Sequence, residues 1–190
     1  MSLKPRAAQI PLKVEKERID FSFKYDNKRI YLWAVYSLAY VNKFDGVLHY
    51  VPHYDRRHNV NFLATYKFGK LDVWETTARW NFGSGFPFTQ TQGVYEKLTL
   101  ENGLLTDLTT ENGEIGLIYA DYNKGRLSDY HRLDLSITRK FNLSETSILD
   151  VSATITNAYN RKNIFYVVGL TNERIYQLPI MPSIGVNWAF

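Results

Sequence analysis

Four short constellations in the 190-residue chain hold residue types able to do chemistry. Ser128-Asp129-Tyr130-His131 brings a hydroxyl, a carboxylate and an imidazole together, the parts of a hydrolytic triad. Neighbours along an extended chain point alternately to opposite sides, which is poor triad geometry, and no enzyme is expected. His49, His53 and His58, with Asp55 among them, are metal-ligand types, but their spacing fits no established ligand pattern; a solvated loop is expected, with no metal and no cofactor. Gly83-Ser84-Gly85 lacks the lysine and following helix of a phosphate cradle and reads as a bend at a strand end. The fourth constellation is aromatic: Tyr50 and Tyr54 beside His49 and His53 in one loop, and Phe86, Phe88 and Tyr95 in the next. Tyrosine offers area and a polar tip at low entropy cost, so these seven side chains are candidate ligand contacts, set against the plainer reading of loop packing.

The elements that position these loops are strands. Period-two runs recur over approximately 17–25, 57–68, 71–82, 130–141, 148–159 and 180–190. Ile19, Phe21, Phe23 and Tyr25 alternate with Arg18, Asp20, Ser22 and Lys24 in the first. The later runs repeat the scheme, with Leu63 and Arg139 as exceptions. Arg139 lies near a strand end, where a long basic side chain can snorkel. A seventh run, 29–41, is apolar on both faces, so its orientation cannot be read. Arg132 and Asp134 alternate with leucines and belong to the polar face, either in an ion-pair network of the wall or against something that fills the interior. In the last run Pro182, Ile184, Val186, Trp188 and Phe190 share one face and end on an aromatic, as a terminal transmembrane strand requires.

Connection lengths alternate without exception: tight at 26–28, medium at 42–56, two residues at Gly69-Lys70, very long at 83–130, short at 142–147, long at 160–178. Asn102-Gly103 and Asn112-Gly113 are hairpin turn signals that divide the longest loop into one or two hairpins. Short turns at one rim and long loops at the other are the pattern of an outer-membrane barrel, and runs of about 9 to 13 residues suit strands tilted across a bilayer. A soluble β-sandwich binding module and a passive porin-like barrel are the alternatives. The longest apolar run, 30–41, is too short for a membrane helix, and its Ser37 interrupts it. With 14 Tyr, 11 Phe and 4 Trp the chain is rich in aromatics, and its lack of cysteine excludes disulfides and thiolate chemistry. A net charge of +4 without a basic stripe gives no ground for nucleic-acid binding. The segment from Met1 to Arg6 carries no signal-peptide core. Seven is an odd number of strands, and seven alone leave two open edges in lipid, so an incomplete barrel wall is expected.

Several segments resemble the carboxy-terminal barrel of TonB-dependent outer-membrane receptors. They are Tyr54-Asp55-Arg56-Arg57-His58-Asn59, Gly83-Ser84-Gly85-Phe86-Pro87-Phe88-Thr89, Gly125-Arg126-Leu127-Ser128-Asp129-Tyr130-His131-Arg132-Leu133-Asp134, Thr156-Asn157-Ala158-Tyr159-Asn160-Arg161-Lys162-Asn163, and the stretch from Gln177 to Phe190. They cover most of the chain in the family's order, and Ser128 stands where the family often has proline. The resemblance implies about seven carboxy-terminal strands of a roughly 22-stranded barrel with a plugged lumen. It also implies energised uptake of a siderophore, cobalamin, glycan or peptide across the outer membrane of a Gram-negative bacterium. Neither a plug nor a TonB box lies in these residues. The implied partners are outer-membrane lipid, the TonB system through a plug, the barrel-assembly machinery through Ile184, Val186, Trp188 and Phe190, and a surface lipoprotein.

Overall fold

A computed structural model of the chain describes residues 13–97 and 114–190. The turn signals Asn102-Gly103 and Asn112-Gly113 and the segment from Met1 to Arg6 lie outside the described residues. The described elements are β1 (Lys13–Asp26), β2 (Ile30–Phe44), β3 (His49–Tyr50), β4 (His58–Phe68), β5 (Trp74–Gly83), β6 (Pro87–Phe88), β7 (Thr91–Lys97), β8 (Glu114–Tyr119), β9 (Gly125–Arg126), β10 (Tyr130–Asn142), β11 (Ile148–Thr156), β12 (Ile164–Val167), β13 (Arg174–Tyr176) and β14 (Met181–Ala189). The fold is all-β and antiparallel. Seven long strands form one sheet in the order β1-β2-β4-β5-β10-β11-β14, which is also their order along the chain. The first and last do not pair with each other, so the sheet is open at both edges. Among the described residues no helix is long and apolar enough to cross a membrane, which says nothing of strands.

Partners directly opposite in an antiparallel pair share a face, so register decides what each face presents. One line of partners crosses the whole sheet: Tyr25, Leu32, Ala64, Ala78, Leu135, Ile155, Pro182. Another crosses the opposite face: Asp26, Tyr31, Thr65, Thr77, Ser136, Thr154, Ser183. Alternation within each strand thus adds up to one mainly apolar face, with Lys13, Glu15 and Glu17 of β1 on it toward the rim, and one mainly polar face. The orientation of 29–41 follows from this register: Leu32, Ala34, Tyr36 and Leu38 join the apolar face, and Tyr31, Trp33 and Val35 the polar one. Leu63 faces the polar side beside Trp33, which pairs the one exception of β4 with an apolar neighbour.

Very little of this apolar surface is covered. Among the described residues the one buried hydrophobic side chain, Val41 at 8% exposed, lies on the polar face opposite Lys16, whereas Phe21, Phe62, Leu135, Ile184 and Trp188 all stand open. The second sheet of a sandwich would lie about 10 Å above one face; among the described residues the other sheets are two-stranded pieces, β6-β9, β7-β8 and β12-β13, made from the long loops. The polar groups that do enter the apolar face are satisfied locally. Thr76 donates its hydroxyl hydrogen to the Ser136 carbonyl at 3.1 Å.

Strand ends depart from their expected places where asparagine or a turn intervenes. The link after β4 is not two residues but five, 69–73, with Leu71 and Asp72 at φ 60° and 53° and Arg29 paired to Asp72 at 3.0 Å, so β5 starts at Trp74. β11 stops at Thr156 rather than 159, because Asn157 turns into the left-handed region at φ 54°. The expected hairpin in the longest loop is present in its described part: β6 pairs β9 and, beyond them, β7 pairs β8. The hairpin β12-β13 within 157–180 is not foreshadowed by the alternation of the long strands.

Candidate functional site

The three long connections, 45–57, 84–129 and 157–180, all leave the sheet at the same rim, and buried polar side chains tie them down. Asp55, 1% exposed, is the anchor of the first. Its carboxylate accepts from Arg126 Nη2 at 2.6 Å and from the Val41 amide at 3.2 Å, and Arg57 Nε lies 3.8 Å away. Arg126 also donates to the Gly85 carbonyl at 3.1 Å, so one guanidinium joins the first loop to both ends of the second. Gly85 donates its amide to Asp129 Oδ1 at 3.0 Å, and a Cβ there would collide with the Leu127 carbonyl. Gly83-Ser84-Gly85 is therefore a close crossing of two backbone segments, which goes beyond the simple bend expected. Asn123 bridges the same loops by donating to the Val51 carbonyl at 2.9 Å.

A second knot holds the third loop. Asn157 is fully buried; it donates to the carbonyls of Arg161 at 2.9 Å and Leu178 at 3.1 Å, and accepts from the Arg161 amide at 3.0 Å. Its own amide donates to Asp134 Oδ1 at 2.9 Å. Asn163 exchanges hydrogen bonds with both backbone groups of His131, at 3.1 and 2.9 Å. Buried polar groups satisfied in this way hold an irregular loop in one place.

Between these knots the loops enclose an aromatic cleft of about 340 Å³. Four of the seven candidate contacts meet in it, His53, Tyr54, Phe86 and Phe88, and the third loop adds Phe165 and Tyr166. His49 and Tyr50 instead line a neighbouring polar pocket of about 480 Å³, where Tyr50 meets Tyr122 edge-on at 5.1 Å. Tyr95 is not brought to either; it lies across Gly116 on the β7-β8 ribbon. Phe165, Tyr166 and Tyr122 are contacts that sequence reasoning missed, although the apolar run from Ile164 to Val167 inside a loop is a signal for the first two.

The remaining candidates fall as follows. The three histidines are occupied separately, His58 at the start of β4 rather than in a loop: His49 stacks on Phe44, His53 meets Tyr54 edge-on, and His58 Nδ1 shares a hydrogen bond with the Tyr36 hydroxyl at 2.9 Å. Among the described residues no three metal-ligating side chains converge. Asp55, expected with them in a solvated loop, is buried instead, because Arg126 neutralises it. In Ser128-Asp129-Tyr130-His131 the carboxylate accepts from the Gly85 amide at 3.0 Å and the imidazole shares a hydrogen bond with the Tyr159 hydroxyl at 2.7 Å. Arg132 and Asp134 form an ion pair at 2.9 Å on the polar face, with Arg79 opposite Asp134. Ile184, Val186 and Trp188 project from the apolar face of β14, and Trp188 donates to Ser147 Oγ at 2.9 Å. Phe190 follows the strand, 93% exposed, with its ring 5.5 Å from that of Trp188. Comparison of the chain with protein-family models, curated proteins and solved structures finds no match.

Proposed function

We propose that the seven long strands are the carboxy-terminal wall of a transmembrane β-barrel of the TonB-dependent receptor kind. In this reading the long loops face outward and contact a scarce ligand, which crosses the outer membrane with energy delivered through TonB. The observation that carries the reading is the apolar face left open across all seven strands, interrupted by Thr76, by Arg139 near one end and by Lys13, Glu15 and Glu17 toward the long-loop rim, while the opposite face is mainly polar. An uncovered apolar surface of this extent has no place in water. Lipid satisfies it without a second protein layer.

Three further features suit a bilayer. Along β10 the apolar face runs from His131 to Phe141, roughly 33 Å of strand, which a tilt of about 40° reduces to ~25 Å, the height of a barrel's apolar band. Tyr66, Phe68, Trp74, Phe141 and Trp188 gather toward the short-turn end of that face, where an interface belt belongs. The free edges of β1 and β14 cannot face lipid, since each unpaired backbone group there costs several kcal/mol, so further strands complete the wall. The aromatic cleft then opens at the outer mouth, and Arg132, Asp134 and Arg79 face the interior, where a plug would lie.

Cells that make the intact protein provide the test. It should sediment with outer membranes, resist salt and require detergent for recovery, and uptake of its ligand should stop when the proton gradient is collapsed. Recovery as a soluble protein contradicts the barrel. Uptake that persists without the gradient contradicts energised transport and leaves a passive porin-like pore.

A further inference from the structure

On the polar face, close to the long-loop rim, a pocket of about 290 Å³ crosses β1, β2 and β4. Register places its parts: Lys16 opposite Val41, Arg18 opposite Ala39, and Ser37 opposite Asn59, which in turn faces Gly83. Arg56 closes it from the loop above. Its guanidinium lies over the Phe86 ring, 4.1 Å from the centroid, and 5.4 Å from that of Tyr130. The Arg56 side chain packs closely on Gly83, where a Cβ would run into it. Two rings and a glycine therefore fix the plane of this guanidinium before anything binds.

Arg56 has no matching anion. Among the described residues no carboxylate forms an ion pair with it, and its Nε is buried without a hydrogen-bond partner. Burial pushes the guanidinium below its ordinary value, although an arginine stays protonated regardless. The acids close by are already engaged. Asp55 is taken by Arg126, and Asp20 binds Arg18 at 2.8 Å. Arg56 is left without a carboxylate partner at the pocket, and Lys16 adds positive charge that it shares with Asp20. A planar cation held over two rings and unpaired with any carboxylate of the described residues suits a carboxylate or another flat oxyanion.

We propose that this pocket is an oxyanion site for the carboxylate of a small ligand, held by Arg56 with Lys16 in support. Tyr54 lines both this pocket and the aromatic cleft, and Phe86 lines the cleft while stacking on Arg56. A compound with a carboxylate on Arg56 and an apolar or aromatic part against Tyr54 and Phe86 fits the two together. The proposal deepens the receptor reading by naming a carboxylate-bearing ligand, and it rests on that reading for placing the pocket inside a barrel.

Citrate is a suitable probe, titrated calorimetrically into the intact detergent-purified protein. Wild type is expected to bind it, Arg56→Gln to lose about tenfold or more in affinity, and Arg56→Lys to fall between, because lysine keeps the charge and loses the flat fork. If Arg56→Gln does not fold, Lys16→Gln on the exposed strand β1 is expected to weaken binding about threefold. Citrate binding that is absent from the folded wild type, or that stays within twofold in a folded Arg56→Gln or is unchanged in Lys16→Gln, overturns the proposal. A site already filled by a protein carboxylate gives the first of those results. Failure of the receptor reading is separate: it appears as a loss of outer-membrane fractionation, whatever citrate does.

Discussion

Arg139 lies directly opposite Trp74 on the apolar face, with its guanidinium carbon 5.0 Å from the Trp74 ring centroid and 4.6 Å from that of Phe141. A charge on an otherwise apolar surface is tolerated where the side chain can lay its stem and its cation on aromatic rings and reach water at the rim. Arg139 is two residues from the end of the apolar stretch of β10, which permits this; Leu135, near the middle, has no such exit.

That difference is measurable. Leu135→Arg is expected to destabilise the folded protein in lipid vesicles by about 2–4 kcal/mol, and Arg139→Ala by about 0–1 kcal/mol. Denaturant titrations of refolded protein give both values. Equal costs for the two positions would mean that the apolar face does not sample depth in a bilayer.

Asp55 and Arg126 are joined at 2.6 Å although they stand 71 residues apart in sequence. Asp55 is buried and Arg126 about one-third exposed, so the pair is partly screened. A double-mutant cycle with Asp55→Ala and Arg126→Ala is expected to give a coupling of about 1–3 kcal/mol. Proteolysis should also open the 45–57 and 84–129 loops together in either single variant. Additive effects would mean that the two loops are held independently.

Asn157 combines a positive φ with three side-chain hydrogen bonds. Asn157→Gly keeps the backbone freedom and loses the bonds, and Asn157→Ala loses both. Expected costs are about 1–3 kcal/mol for glycine and roughly 1 kcal/mol more for alanine. Faster cleavage within 160–178 is the accompanying sign. Indifference of that loop to both substitutions would remove Asn157 as its anchor.

The long strands were legible in the sequence because a period of two survives any register, but the orientation of β2 was not. Both of its faces are apolar, and only pairing with β1 assigns them. Asn157 ended β11 early for a similar reason: Tyr159 continues the alternation formally, while the turn depends on carbonyls of Arg161 and Leu178 that no local pattern reveals. The aromatic cleft was half legible. Tyr54 and Phe86 stood out as loop aromatics, whereas Phe165 and Tyr166 joined them only through the hairpin β12-β13. The burial of Asp55 could not be read without knowing that Arg126 comes to it.

At the tip of the first loop, Asp45 accepts from the Leu48 amide at 2.8 Å and the Val47 amide at 3.0 Å. These bonds hold its carboxyl below the usual range, with the Leu48 amide the larger cause. A depressed folded value contributes stability that is present above the unfolded value of about 3.9 and is lost as pH falls through the folded one. Protection of the Val47 and Leu48 amides, corrected for intrinsic exchange, should therefore weaken as pH falls from about 5 to below about 3.9, through the depressed folded value. Asp45→Asn should abolish that pH dependence, and an unchanged wild-type profile would show that the turn does not rely on the carboxylate.

The most direct measurement is site-directed spin labelling of the intact protein in lipid vesicles, and no cysteine among these 190 residues competes for the label. Single substitutions Leu133→Cys, Asp134→Cys, Leu135→Cys, Ser136→Cys and Ile137→Cys walk along β10, and Ala153→Cys and Thr154→Cys repeat the test on β11. Labels at 133, 135, 137 and 153 should be accessible to oxygen dissolved in the lipid and shielded from a water-soluble nickel chelate, with the reverse or burial at 134, 136 and 154. If the chelate reaches the apolar positions, or if both reagents are excluded from them, that face is not against lipid and the seven strands are not a membrane wall.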